Sequence, residues 1–314
     1  MAARSKSNVI SLTRVYDAPL QAVWDAWTNP DEVAQWWGPR GFTLTTHSRD
    51  LRTGGHWHYT MHGPDGTDYE NTTQYLEVVP GQRMVYDHGG HQERPPLFRV
   101  NVLFTERDGR TQLDMSMTFA TPEVAEETRG FIKKAGGEGT WDRLAEYLGK
   151  RCAGKDQFFI TRTFETGIEH LYEMWTDPQH MAQWLPPTGA TMRFLRTEPR
   201  IGGTSFYEMT ATGGMTIYGL VKYISLERPM RIVYTQQFCD AQEQVIRAPF
   251  FPNWPRTMLT TVELAIESPD RTRVTVRWEP QEATAADIAE FIKQRGGMTL
   301  GWTGSFDKLE TLLA

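Results

Sequence analysis

The sequence predicts an α+β protein built from two tandem domains, each an antiparallel sheet with one face covered by a long closing helix. Three observations carry that prediction. The phrase "NPDEVAQWWGP" at residues 29–39 returns as "DPQHMAQWLPP" at residues 177–187, a shift of 148. Each copy contains short alternating segments separated by glycine and proline turns. Each copy also ends in apolar residues at helical spacing. A chain of 314 residues accommodates two domains of about 150. A period this long indicates duplicated domains and not a solenoid, whose repeats run about 20–50 residues.

In the first copy, "VISLTRVY" at residues 9–16 is β-branched and alternating, which predicts a strand. Leu20, Val23, Trp24 and Trp27 then recur at helical spacing, with Pro19 suited to the first helical turn. Pro30 ends that helix. A second short helix follows, with Asp31 and Glu32 in its first turn, where carboxylates suit the helix dipole. Six alternating segments come next, at 42–49, 55–62, 68–79, 82–88, 97–106 and 111–119. A Gly-Gly pair, "GPDG", "PG" and "RDGR" mark turns among them, and such spacing predicts an antiparallel meander. The last ~25 residues of each copy regain helical periodicity. Trp141, Leu144 and Leu148 carry it in the first, and Phe306, Leu309 and Leu313 in the second. Only that helix is long enough to cover a sheet face.

The repeat extends well beyond the first phrase. "LTRVYDAPLQAVWDAWTNP" lies over "ITRTFETGIEHLYEMWTDP", Gly54-Gly55 over Gly202-Gly203, Met61 over Met209, and "QRMVYD" over "MRIVYT". After a slip of 12 residues "GFIKKAGG" aligns with "EFIKQRGG", and after a further five "WDRLAEYL" aligns with "FDKLETLL". The seam falls in "GKRCAGK", residues 149–155, small and charged as a linker should be, which sets the domains at 1–151 and 152–314.

Four signatures then stand out: the "W-T-N/D-P…Q-W" helix, the "GG-x-W/F-x-Y" strand, the "R-x-V-Y" strand and the closing "W/F-D-x-L-x-x-Y/L-L" helix. Together they resemble the START/Bet v1-like (SRPBCC) helix-grip superfamily, closest in its branch related to the C-terminal domain of the Hsp90 ATPase activator. The resemblance covers nearly the whole chain, twice. It implies two helix-grip domains, each a curved antiparallel sheet wrapped around a long C-terminal helix, with an apolar cavity between sheet and helix. It does not fix the function, because this fold carries both binding and catalysis.

The sequence supplies aromatic lining for such a cavity. Trp57, Tyr59 and Met61 alternate and share one strand face; Ser205, Tyr207 and Met209 do the same in the second copy, with one much smaller side chain. Ligand should therefore prefer the second domain. Trp36 and Trp37, then Trp184 and Leu185, sit where the short helix meets the sheet, and Tyr86 and Tyr234 lie on the matching later strand. Tyrosine and tryptophan combine apolar surface with a polar handle. The connection "QFCDAQEQVIRAPFFPNWP" carries Phe250, Phe251 and Trp254 among three prolines. A loop this apolar either folds onto the inter-domain contact or forms a lid or rim over the second cavity.

Other classes are disfavoured. The net charge is −6 and no basic run exceeds two residues, so neither nucleic acid nor an anionic membrane is an expected partner. The two cysteines show no C-x-x-C or zinc spacing, and no cofactor motif is present. With no signal-peptide core and no stretch of 18 apolar residues, the expected location is the cytoplasm. No G-x-S-x-G elbow, P-loop or H-E-x-x-H occurs. Arg83 and Arg231 recur in "R-x-V-Y" but alternate with the cavity positions, so they should face solvent. His47, His56, His58, His62, His88 and His91 cluster, with His47 expected opposite His58 on the outer face and no metal expected there. The sequence thus points to non-catalytic binding of a hydrophobic, polyketide- or lipid-like small molecule. The resemblance keeps three alternatives open: a polyketide cyclase/aromatase, enediyne-type antibiotic self-resistance by sequestration or sacrificial cleavage, and regulation of the Hsp90 ATPase. No protein partner is identified. Charged metabolites are not expected to bind, since the candidate lining has no buried charge.

Overall fold

The alternating stretch "VISLTRVY" forms β1 (Val9–Tyr16) in the computed structural model, which describes residues 7–89, 95–134, 139–153, 156–211 and 213–314. Helices α1 (Leu20–Thr28) and α2 (Pro30–Trp36) follow. Then come β2 (Thr43–Arg49), β3 (His56–His62), β4 (Asp68–Val79), β5 (Arg83–His88), β6 (Phe98–Arg107) and β7 (Arg110–Phe119). They form one antiparallel sheet in the order β1-β7-β6-β5-β4-β3-β2, a meander whose last strand returns to pair with the first. Helices α3 (Pro122–Lys134) and α4 (Gly139–Ala153) close this unit, which spans Met1–Cys152.

The unit Ala153–Ala314 repeats the plan. It runs β8 (Phe158–Phe164), α5 (Ile168–Thr176), α6 (Pro178–Trp184), β9 (Thr191–Thr197), β10 (Thr204–Thr210) and β11 (Thr216–Glu227). It continues with β12 (Arg231–Cys239), β13 (Thr257–Ser268), β14 (Arg271–Gln281), α7 (Ala285–Lys293) and α8 (Arg295–Leu313). The strand order, β8-β14-β13-β12-β11-β10-β9, is that of the first sheet. Each unit is α+β, seven strands and helices packed as the helix-grip resemblance implies.

The repeated tryptophan phrase has a physical explanation. Asn29 caps α2 by accepting a hydrogen bond from the Asp31 amide at 2.9 Å, and Asp177 caps α6 by accepting from Gln179 at 2.7 Å. Pro30 and Pro178 take the first helical position, where no amide is needed. Each short helix ends on an indole with 0% exposure, Trp36 or Trp184. The Trp36 N–H donates to the Ala26 carbonyl at 2.9 Å, and that of Trp184 to Met174 at 2.8 Å. One side chain thus fills the core and ties the short helix to its predecessor. The Gly-Gly pairs repeat for similar reasons. Gly54 and Gly202 adopt φ of 79° and 77°, and a Cβ on Gly55 or Gly203 would lie 2.1 or 2.2 Å from a backbone oxygen.

Three sequence expectations need correction. Each copy closes with two helices and not one; α7 starts at a capping box in which Thr284 and Asp287 bond reciprocally, and α3 starts at Pro122. Part of the stretch 149–155 is no linker, because α4 continues to Ala153. Finally, the alignment gives Phe306 as the counterpart of Trp141, yet the stacking role passes to Trp302, one turn earlier. Trp141 stacks on Trp27 (5.8 Å, 15°), and Trp302 on Trp175 (5.9 Å, 19°).

Candidate functional site

In the first unit the inward sheet face is filled by rings. Trp57 and Tyr59 stack at 4.0 Å, Trp37 meets both edge-on or tilted, and Tyr86 lies edge-on to Tyr75 at 6.2 Å. Met61 is half-buried at the end of this row, and Trp36 stands behind it in the core. The void left among these groups is only about 10 Å³, lined by Trp27, Trp37, Arg49, Trp57, Tyr75 and Tyr86 with Thr73 and Met84. That volume suits a single water or one oxygen atom. Burial raises the Tyr59, Tyr75 and Tyr86 phenols, so they are neutral hydrogen-bonding groups near pH 7.

Arg49 in that lining overturns the expectation that no charge faces the cavity. Its strand carries a β-bulge between Thr46 and Ser48, which reverses the alternation and places Arg49 opposite Trp57 on the inner face. The guanidinium sits over the Trp57 ring at 4.4 Å and donates to the Trp27 carbonyl at 2.7 Å and the Tyr75 hydroxyl at 3.3 Å.

The second unit solves the same positions differently. Thr197 and Ser205 stand where Arg49 and Trp57 stand in the first, and Ser205 shares hydrogen bonds with Thr197 (3.1 Å) and the Tyr223 hydroxyl (3.2 Å). Lacking an indole beside it, Tyr207 instead lies over Gly219, its cross-strand partner, with Phe194 at 6.0 Å. Burial raises its phenol to about 12 and also raises that of Tyr234, which packs edge-on to Tyr223. Trp184 is core, as Trp36 is. A Cβ at Gly219 would approach the Tyr207 ring to 2.1 Å. Gly219→Ala is therefore expected to cost the second unit about 1–3 kcal/mol through overpacking. Urea unfolding should register this, and an unchanged midpoint would show that Tyr207 is free to move aside.

The larger space lies elsewhere in this unit. A pocket of about 220 Å³ opens where β11 begins and β12 ends, lined by Ile217, Tyr218, Phe238, Cys239, Ile246 and Pro249 among others. Met209 pairs with Ile217 at its border. The 240–256 connection closes one side. Phe250 is 42% exposed and edge-on to the pocket residue Phe238; Phe251 bridges Phe250 and Trp254; Trp254 is buried against Phe291 of α7. Arg247 ties the connection to Asp287 of the α7 cap at 3.1 Å. The Cys239 thiol is raised to about 11, by burial first and then by Glu243 and Asp240, so it is not a thiolate at neutral pH.

The histidine face is polar and outward. The His47 and His58 rings lie 4.8 Å apart, but His47 bonds Thr60, His56 bonds Ser48, and His62 bonds Thr45 and Asp68. Among the described residues, no group of three or more His, Cys, Asp or Glu could hold a metal ion. His91 lies outside the described residues. Arg83 pairs with Glu77, and Arg231 with Glu227. Among the described residues no helix is long and apolar enough to cross a membrane.

The family model "Activator of Hsp90 ATPase homolog 1-like protein" matches residues 17–149 and again 165–314. No curated protein matches the chain. Among solved structures, a protein from Nitrosomonas europaea is 21% identical, covering 48% of this chain and 100% of its own at a TM-score of 0.43. One from Chromobacterium violaceum is 25% identical, covering 50% and 96% at 0.39. The di-domain ARO/CYC BexL from the BE-7585A biosynthetic pathway is 12% identical, covering 96% of this chain and 97% of its own at 0.40.

Proposed function

Since the chain belongs to the activator of Hsp90 ATPase homolog 1-like family along both of its halves, we propose that its second unit binds a small apolar molecule without transforming it. The supporting observation is the pocket of about 220 Å³ bordered by Ile217, Phe238, Ile246 and Pro249. Its volume equals roughly seven waters at ~30 Å³ each, enough for a one- or two-ring compound of polyketide character or the end of a lipid chain. This location differs from the expected cavity between sheet and closing helix, where Trp302 of α8 stacks on Trp175 of α5. Nothing at the pocket is primed for covalent chemistry, because its thiol is protonated and its neighbours are mainly apolar.

The affinity follows from area. Burying roughly 300 Å² of apolar surface yields about 8 kcal/mol at ~25 cal/mol per Å². Loss of translational and rotational freedom offsets at least ~4 kcal/mol of that. The remainder corresponds to a dissociation constant near 1 mM, tightened about fivefold by each well-placed hydrogen bond of ~1 kcal/mol. The neutral two-ring dye Prodan, a substituted naphthalene, should accordingly brighten on titration with the full chain. Ala241→Trp, which puts an indole into the pocket from an exposed loop position, should reduce that brightening at least fivefold. Undiminished dye binding by this variant, with its circular dichroism unchanged, would remove the pocket as the site.

A further inference from the structure

The geometry points to an anion subsite in the first unit, where Arg49 and the Trp27 indole N–H receive a carboxylate oxygen of an aromatic acid. Both groups line the void of about 10 Å³, and both carry a buried N–H without a partner: Nη1 of Arg49 and Nε1 of Trp27. Neither side chain can accept a hydrogen bond, so only an acceptor atom can satisfy them. The void has room for one oxygen.

Charge makes the same demand. Some sequestered guanidinium groups have carboxylates, as Arg273 has Glu267 at 3.3 Å and Arg162 has Asp307 and Glu310 at 2.8 and 2.9 Å, while Arg143 is held by the carbonyls of Gln35, Gly38 and Pro39. Arg49 has a carbonyl, a phenol and the face of Trp57, with no carboxylate pairing with it among the described residues. A half-buried cation held by neutral groups is poorly compensated, and an anionic oxygen completes it. Arg49 and Trp37 are the half-buried members of the lining, while the other six are buried, so the ligand ring lies against these two. Among the described residues the second unit lacks the cation, although the Trp175 indole N–H, counterpart of that of Trp27, is also buried without a partner. Thr197 and Ser205 replace the Arg49–Trp57 pair, and their hydroxyls satisfy one another and Tyr223. This subsite is independent of the pocket in the second unit.

Benzoate and its neutral isostere benzamide provide the test on the full chain, followed by tryptophan fluorescence and calorimetry. Benzoate is expected to bind at least tenfold more tightly than benzamide, and its binding should weaken with added salt. Arg49→Gln should abolish the preference, whereas Arg49→Lys keeps the charge without the fork and should retain part of it. Equal affinity for the two compounds overturns the proposal, as does undiminished benzoate binding by Arg49→Gln. Should Arg49→Gln fail to fold, peptide mapping of the unmutated chain decides. Benzoate must protect Arg49 from phenylglyoxal at least fivefold, and absence of protection overturns the subsite equally.

Discussion

Replacing Trp36 with alanine is expected to destabilise the first unit by about 3–5 kcal/mol, the range for deleting a large buried aromatic side chain. The indole is fully buried and bonded to the Ala26 carbonyl, so its removal opens a cavity and orphans an acceptor at once. At about 2–4 °C per kcal/mol for a unit of this size, melting should fall by roughly 6–20 °C. Trp184→Ala should do the same to the second unit. Differential scanning calorimetry checks this, since each variant should move one transition and leave the other in place. Trp37 is half-buried, so Trp37→Ala should cost less. A Trp37 effect larger than that of Trp36 would contradict the core role assigned here.

The second large effect is a loss of stability in the first unit as pH falls from 6.5 towards 4. His88 on β5 stacks against Phe98 at 4.8 Å, and burial lowers its pKa from 6.5 to about 4. The folded state therefore favours the neutral ring, while the unfolded chain takes up a proton below pH 6.5. Stability is complete above that pH and declines as pH falls from 6.5 towards 4. A lowering from 6.5 to about 4 corresponds to about 3 kcal/mol, and the ring retains some accessible surface, so a loss of about 2 kcal/mol is expected. The matching position in the second sheet is Gln236, opposite Val221 as His88 is opposite Thr73. His88→Phe preserves the stack and removes the titration. Urea unfolding at pH 7 and pH 4.5 should show a pH-dependent loss in the unmutated chain and a much flatter response in this variant. A second acid step belongs to the other unit at lower pH. Burial raises the Asp287 carboxyl, but hydrogen bonds from Thr284 and Arg247 outweigh that and lower it below 3.8. Its contribution is present above 3.8 and lost beneath it.

Much of the fold could be read from local pattern, because the pattern reports burial directly. The alternation in "VISLTRVY" gave β1 to the residue, and the proline and glycine punctuation separated all six later strands of the first sheet. The capping residues Asn29 and Asp177 sat in plain view within the repeated phrase. The helices α3 and α7 were missed, although Thr121-Pro122 and the Thr284–Asp287 box both signal a helix start. Arg49 was missed for a deeper reason. Strict alternation from Leu44 and Thr46 puts residue 48 inside and Arg49 outside, and only the bulge at His47 exchanges them. A bulge depends on the partner strand and leaves little trace in one strand's sequence. The pocket of the second unit was similarly illegible, since it forms where strand ends meet a long connection.

The cross-strand pair Arg49–Trp57 and its counterpart Thr197–Ser205 also bear on how two duplicated halves can diverge. Losing the indole first strips the guanidinium of its π face, a penalty of about 0.5–2 kcal/mol. Losing the guanidinium first leaves an indole that still donates to Thr46 at 3.1 Å. The two substitutions are therefore epistatic, and their order matters. Mutational robustness at this position thus belongs to the pair, and either residue grafted alone into the other half inherits a neighbour shaped for something else.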